Sequence, residues 1–125
     1  MTLYEDIGEE TLRTVITEFY KRAFADPIIG HFFFHFDRHH LTEQQIDFAR
    51  ALLDGPQRYQ GKPLKAAHAP FDIRKPHFGR RQVLMREVLD DYGVAPRLRD
   101  AWLEREERLK PLILSSSQAD TLKGL

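Results

Sequence analysis

The sequence predicts an all-α fold in one domain, and three observations carry that prediction. Apolar residues recur at the three-to-four-residue spacing of a helix in several separate segments. No segment shows the strict alternation of a half-buried strand. Four of the seven prolines (Pro56, Pro63, Pro70 and Pro76) crowd between Asp54 and Pro76, so the middle of the chain reads as loops and short turns.

Each element follows in order. The first long helix starts near Glu9 and Glu10, whose carboxylates suit the positive end of a helix dipole. It carries Leu12, Val15, Ile16, Phe19, Ala23 and Phe24 as far as Asp26-Pro27. A second helix spans Leu41 to Leu53, with Leu41, Gln45, Phe48 and Leu52 on one face. A third runs from about Pro76 to Asp91 through Phe78, Met85, Val88 and Leu89, and Gly93 suits the left-handed backbone that ends it. Pro96 opens the last helix at a first-turn position. Leu98, Trp102, Leu109, Leu112 and Ile113 line that helix. The polar stretch from Ser115 to Leu125 is expected to fray, leaving one domain over 1–125.

Composition narrows the function classes. At 125 residues the chain can bury one core without a staple. Lys+Arg and Asp+Glu cancel at 19 each, whereas a dedicated nucleic-acid binder shows a basic excess. With no cysteine, disulfides and thiolate chemistry are excluded. Met1 to Glu10 is acidic and lacks the apolar stretch of a signal peptide, and no apolar run approaches the ~18 residues of a membrane span. A cytoplasmic protein is the expectation.

Two residue patterns point to chemistry. Seven of the nine Phe lie between Phe19 and Phe48, four of them in Phe32-Phe33-Phe34-His35-Phe36. Such a cluster offers a flat apolar cofactor large contact area without polar cost, although an aromatic core at a helix corner would also produce it. The histidines are the second pattern. His31, His35 and His39 are spaced i, i+4, i+8 and would stack as metal ligands on an unbroken helix, with His40, Asp37 and Glu43 nearby. His68 differs, because Ala66, Ala67 and Ala69 leave room for something bulky to reach its ring, although a packed or capping histidine between alanines would look the same. Tyr20 falls on the inward edge of the first helix, either as a core-edge ring with its hydroxyl in water or as a site residue. Gln45 either closes a capping box with Thr42 or belongs to a site.

In order along the chain, these pieces resemble the truncated haemoglobins. Tyr4-Glu5-Asp6-Ile7-Gly8 resembles the family's opening, Phe19-Tyr20 its aromatic pair, and Ala25-Asp26-Pro27 the turn that follows. Phe32-Phe33 is similar to the segment bearing the haem-packing Phe. Gly55-Pro56 through Tyr59, Gly61 and Pro63 is similar to the loop ahead of the proximal helix, and Ala67-His68-Ala69 through Ile73 to His77-Phe78 continues the match.

The resemblance implies a two-over-two helical sandwich around haem b. It implies His68 as the iron ligand, with His77 the nearest competitor, and Phe33 packing on the cofactor. Leu41 would lie above the iron, with Tyr20 and Gln45 as hydrogen-bond donors to its ligand. Phe48 and Phe78 would add to the wall, and Tyr59, Lys62 or Lys65 would meet the propionates. The implied function is binding or transport of O2 and other diatomics (NO, CO), with conversion of NO to nitrate, served by a separate reductase, as a further activity. Tyr20 with Gln45 and Leu41 resembles group I, whereas His68-Ala69-Pro70-Phe71 is closer to group II. Departures from the family pattern are also present. Paired glycines are reduced to Gly8 beside Glu9 and Gly55 beside Asp54, and Ala49 replaces a bulky tunnel gate. Arg81 falls at a normally apolar or Trp-bearing position near the haem, from which a small shift would turn it outward. Two other readings of the residues stay open: a non-haem metal protein using His31, His35, His39 or His40, and a cofactor-free helical interaction module.

Overall fold

The periodic stripes become four long helices packed in two pairs. A computed structural model describes residues 1–56 and 61–115. The order is α1 (Leu3–Ile7), α2 (Glu9–Ala25), a 3-10 turn η1 (Gly30–Phe33), α3 (Arg38–Leu52), α4 (Leu64–His68), α5 (Lys75–Asp91), α6 (Pro96–Glu107) and α7 (Lys110–Ile113). Helix α2 packs on α3, α5 packs on α6, and α2 against α5 joins the pairs; α1 closes on α2 and α6. Leu12, Val15 and Phe19 of α2, Ile46 of α3, Met85 and Leu89 of α5, and Trp102 of α6 are all within 1% of complete burial. Each large apolar side chain so buried contributes about 1.5–3 kcal/mol, and it is this seam more than helix propensity that holds the elements.

Several boundaries differ from expectation for identifiable reasons. Helix α3 starts at Arg38, three residues before Leu41, because the Asp37 carboxylate accepts the His40 N–H at 2.8 Å. Thr42 is therefore buried inside the helix, and the Thr42–Gln45 capping box does not form. Helix α1 is too short to show a stripe. It is fixed by a Thr2 cap on the Glu5 N–H (3.1 Å) and by the Tyr4 N–H bonding to the Leu53 carbonyl (2.9 Å). The C-terminal helix is divided into α6 and α7, since Pro111 has no N–H to continue the ladder and its ring crowds the carbonyl four residues back. Gly93 sits just past α5 at φ 71°, as expected, and the next residue, Val94, bonds back to the Leu89 carbonyl at 3.0 Å.

The glycine departures have structural consequences. Asp54 itself takes the left-handed backbone at φ 65°, and its carboxylate pairs with Arg105 at 2.8 Å. Gly55 cannot be replaced without movement, because a Cβ there would stand 2.8 Å from the Arg50 carbonyl oxygen. Glu9 accepts from Arg50 Nε (2.8 Å) and Nη2 (2.7 Å) and from the Tyr4 hydroxyl (2.6 Å), tying α1, α2 and α3 together. The Arg50 hydrogen bond is the main cause that pulls the Glu9 carboxyl down to about 2.

No described helix is long and apolar enough to cross a membrane. Ser115 is tied down, its N–H bonding to the Ile73 carbonyl at 2.8 Å. The rest of the tail expected to fray, and Tyr59, lie outside the described residues.

Candidate functional site

Helices α2, α3, α4 and α5, with η1, enclose an apolar cavity of about 500 Å³. Its aromatic wall begins where α2 ends. The Asp26 carboxylate accepts the Ile28 and Ile29 N–H groups (3.0 and 3.1 Å) and pairs with Arg80 at 2.8 Å. The Arg80 hydrogen bond, chiefly, holds the Asp26 carboxyl below its ordinary value. Gly30 then passes so close to α2 that a Cβ would lie 2.8 Å from the Phe24 carbonyl oxygen. This tight turn brings Phe32, Phe33 and Phe36 to the cavity and leaves Phe34 75% exposed. Phe33 stacks on Phe24 at 5.0 Å and meets Tyr20 edge-on at 6.0 Å. Phe32 meets Phe71 and His77 edge-on at 6.3 and 4.9 Å.

Polar groups enter this apolar space from four helices, α2, α3, α4 and α5. Tyr20 comes from α2, and Gln45, with Leu41 beside it, from α3. Tyr20 is only 7% exposed, so its hydroxyl is not a rim group in water. His68 ends α4 and donates from Nδ1 to the Leu64 carbonyl at 2.7 Å. Burial, with a contribution from the charge of Arg81, pushes its pKa down. Burial thus favours the neutral ring, and with Nδ1 donating, its lone pair falls on Nε2.

His77 also lines the cavity, but its Nδ1 accepts the Arg74 N–H at 3.0 Å. A neutral His77 then carries its proton on Nε2 and has no lone pair there to offer a metal.

Not every expected residue reaches the cavity. Phe33, Leu41, Gln45, Tyr20, His68, His77 and Phe78 are brought together, and Lys62 stands at the edge. Lys65 is exposed and is not part of the lining. Phe48 lines a smaller adjoining recess of about 60 Å³ together with Ala49 and Leu52, while Tyr20, Gln45, His68 and Arg81 line both spaces. The stack of imidazoles from His31 to His39 is broken, because η1 ends at Phe33 and a turn separates it from α3. Among the described residues no group of three or more His, Asp or Glu could hold a metal ion.

Arg81 is not turned outward. It lines the cavity, and its guanidinium pairs with Glu106 through two bonds of 2.7 and 3.0 Å. Glu106, only 5% exposed, escaped the sequence reading, as did the cavity role of Ile113. Spacing held the signal: Arg81 follows Phe78 by one turn of α5, and Glu106 follows Trp102 by one turn of α6.

A family model for bacterial-like globins matches residues 2–115. The group 1 truncated haemoglobin of Tetrahymena pyriformis is 36% identical over 94 residues, covering 74% of this chain and 78% of that protein. Its crystal structure in the Fe(III) form superposes with a TM-score of 0.87 at 31% identity, covering 92% of this chain and 99% of that one. The truncated oxygen-avid haemoglobin of Bacillus subtilis gives 0.83 at 28% identity, covering 92% and 100%.

Proposed function

Because the chain belongs to the bacterial-like globin family, among its truncated haemoglobins, we propose that it holds haem b through His68 and binds O2 beside Tyr20 and Gln45. Haem supplies an iron centre that coordinates O2, NO and CO reversibly. The observation that carries the assignment is the hydrogen bond from His68 Nδ1 to the Leu64 carbonyl, which directs the Nε2 lone pair to ligation. The wall of Phe32, Phe33, Phe36 and Phe71 fits a flat apolar macrocycle and excludes water from it. Among the described residues, Lys62, at the cavity's edge, is the cation best located for the propionates. Tyr20 and Gln45 supply hydrogen-bond donors to a polarised ligand, and a protein described as oxygen-avid is among the structural relatives. Conversion of NO and O2 to nitrate, with a separate reductase as electron source, is the finer activity within this reading. Its measure is NO consumption with nitrate as product.

Replacing His68 with Ala tests the ligand assignment. The variant should lose the normal ferrous spectrum and regain part of it with added imidazole, while His77→Ala retains it. The reverse pattern would make His77 the ligand.

A further inference from the structure

Arg81 has no role in the reading above. Its guanidinium is enclosed between α2, α5 and α6. The Phe19 ring centroid lies 4.8 Å from Cζ, Glu106 accepts the two-pronged bond, and Gln82 Oε1 accepts from Nη1. Tyr20 is near enough to interact with it electrostatically. Glu106 is fixed in turn by the Trp102 indole N–H at 3.2 Å. A buried ion pair of this kind returns little net stability, because desolvation offsets the attraction. Its orientation is what bears on the site. Arg81 lines both the large cavity and the small recess, whereas Glu106 lines the recess alone. The pair is thus a fixed dipole with its positive end at the cavity and its negative end behind. In a water-poor space such a preorganised dipole stabilises negative charge that gathers at its positive end.

We propose that Arg81, backed by Glu106, is a specificity-determining residue of the ligand pocket that favours small monovalent anions over neutral ligands. The proposal rests on the haem reading above, and its test is a ligand equilibrium. Fluoride is titrated into the ferric protein and followed by absorbance, with CO binding to the ferrous protein as the neutral control. Two variants move the dipole in opposite directions. Glu106→Gln removes the rear negative charge with Arg81 kept, and should tighten fluoride. Arg81→Met combined with Glu106→Gln removes the pair without stranding a buried charge, and should weaken it. Each change is expected at roughly tenfold in Kd, the weight of about one hydrogen bond to a charged partner, with CO affinity nearly constant. An unmoved fluoride Kd in Glu106→Gln overturns the proposal, as does equal movement of fluoride and CO. A pair that only braces helices would shift the melting temperature and leave the fluoride-to-CO ratio constant. Should the double variant fail to fold, Glu106→Gln decides alone. Wild-type protein that takes up no haem would instead undo the haem reading, a result distinct from a normal Soret band with unaltered fluoride binding.

Discussion

Tyr20 and Gln45 reach one cavity from two helices, so their effects on O2 are expected to be coupled. A hydrogen bond to a charged partner is worth ~1.5–3 kcal/mol, and O2 held at haem carries far more negative character than CO. Tyr20→Phe should therefore speed O2 release by roughly 10- to 150-fold and barely change CO. Gln45→Leu should do less, and the double variant should fall short of the summed effects. Stopped-flow O2 dissociation decides the matter, since additive or absent effects would remove both residues from the ligand site. In the sequence His68 was singled out as the candidate by its place in the matched loop. What set it apart from His77 was not legible there, because tautomers follow from backbone partners (the Leu64 carbonyl for one, the Arg74 N–H for the other) that only the folded turns supply.

At the scale of the element, α3 lines both the cavity and the recess beside it. Ala49 lies one turn after Gln45 and lines the recess beside the main cavity. Its single methyl leaves the recess open, so we expect Ala49→Phe to slow CO association measured by flash photolysis. An unchanged rate would mean that ligands enter elsewhere or that Phe48 already controls this path. The long helices were readable because each buries a stripe several turns long, as Leu12, Val15, Ile16 and Phe19 do in α2. Short elements carry no such signal. Helix α1 depends on one threonine cap and a bond from the Tyr4 N–H to the carbonyl of Leu53, a residue 49 positions further on. The start of α3 is set by the Asp37 carboxylate and not by Thr42, the cap the sequence suggested. Arg81 was legible as a residue and in an ungapped match. Its one-turn spacing from Phe78 places it on the inward face, but the carboxylate that pairs with it lies 25 positions away in another helix.

At the scale of the molecule, ion pairs link elements that the apolar core leaves at its edge. Glu9 has an ordinary pKa of 4.5 and is pulled to about 2 in the fold. Its contribution to stability is thus present above the unfolded value and is lost as pH falls from about 5 towards 2. The side chain is 39% exposed, so screening reduces that contribution to about 1 kcal/mol. Urea unfolding at pH 6 and pH 3 should show a smaller acid loss for Glu9→Gln than for the wild type, and an equal loss would detach Glu9 from the acid sensitivity of the fold. The two-and-two packing of the long helices was anticipated as a whole, while the end of the chain was underestimated. Helix α7 packs on α4, Ile113 lines the cavity, and Ser115 is bonded to Ile73 between α4 and α5. The turn bearing His68 is thus clamped from behind by the C-terminal segment. How long the cofactor stays aboard becomes a property of the C-terminal segment. Ending the chain after Leu109 should leave diatomic affinities close to normal yet hasten leakage of haem to an excess of another apoglobin, by about tenfold for each ~1.4 kcal/mol of clamp removed.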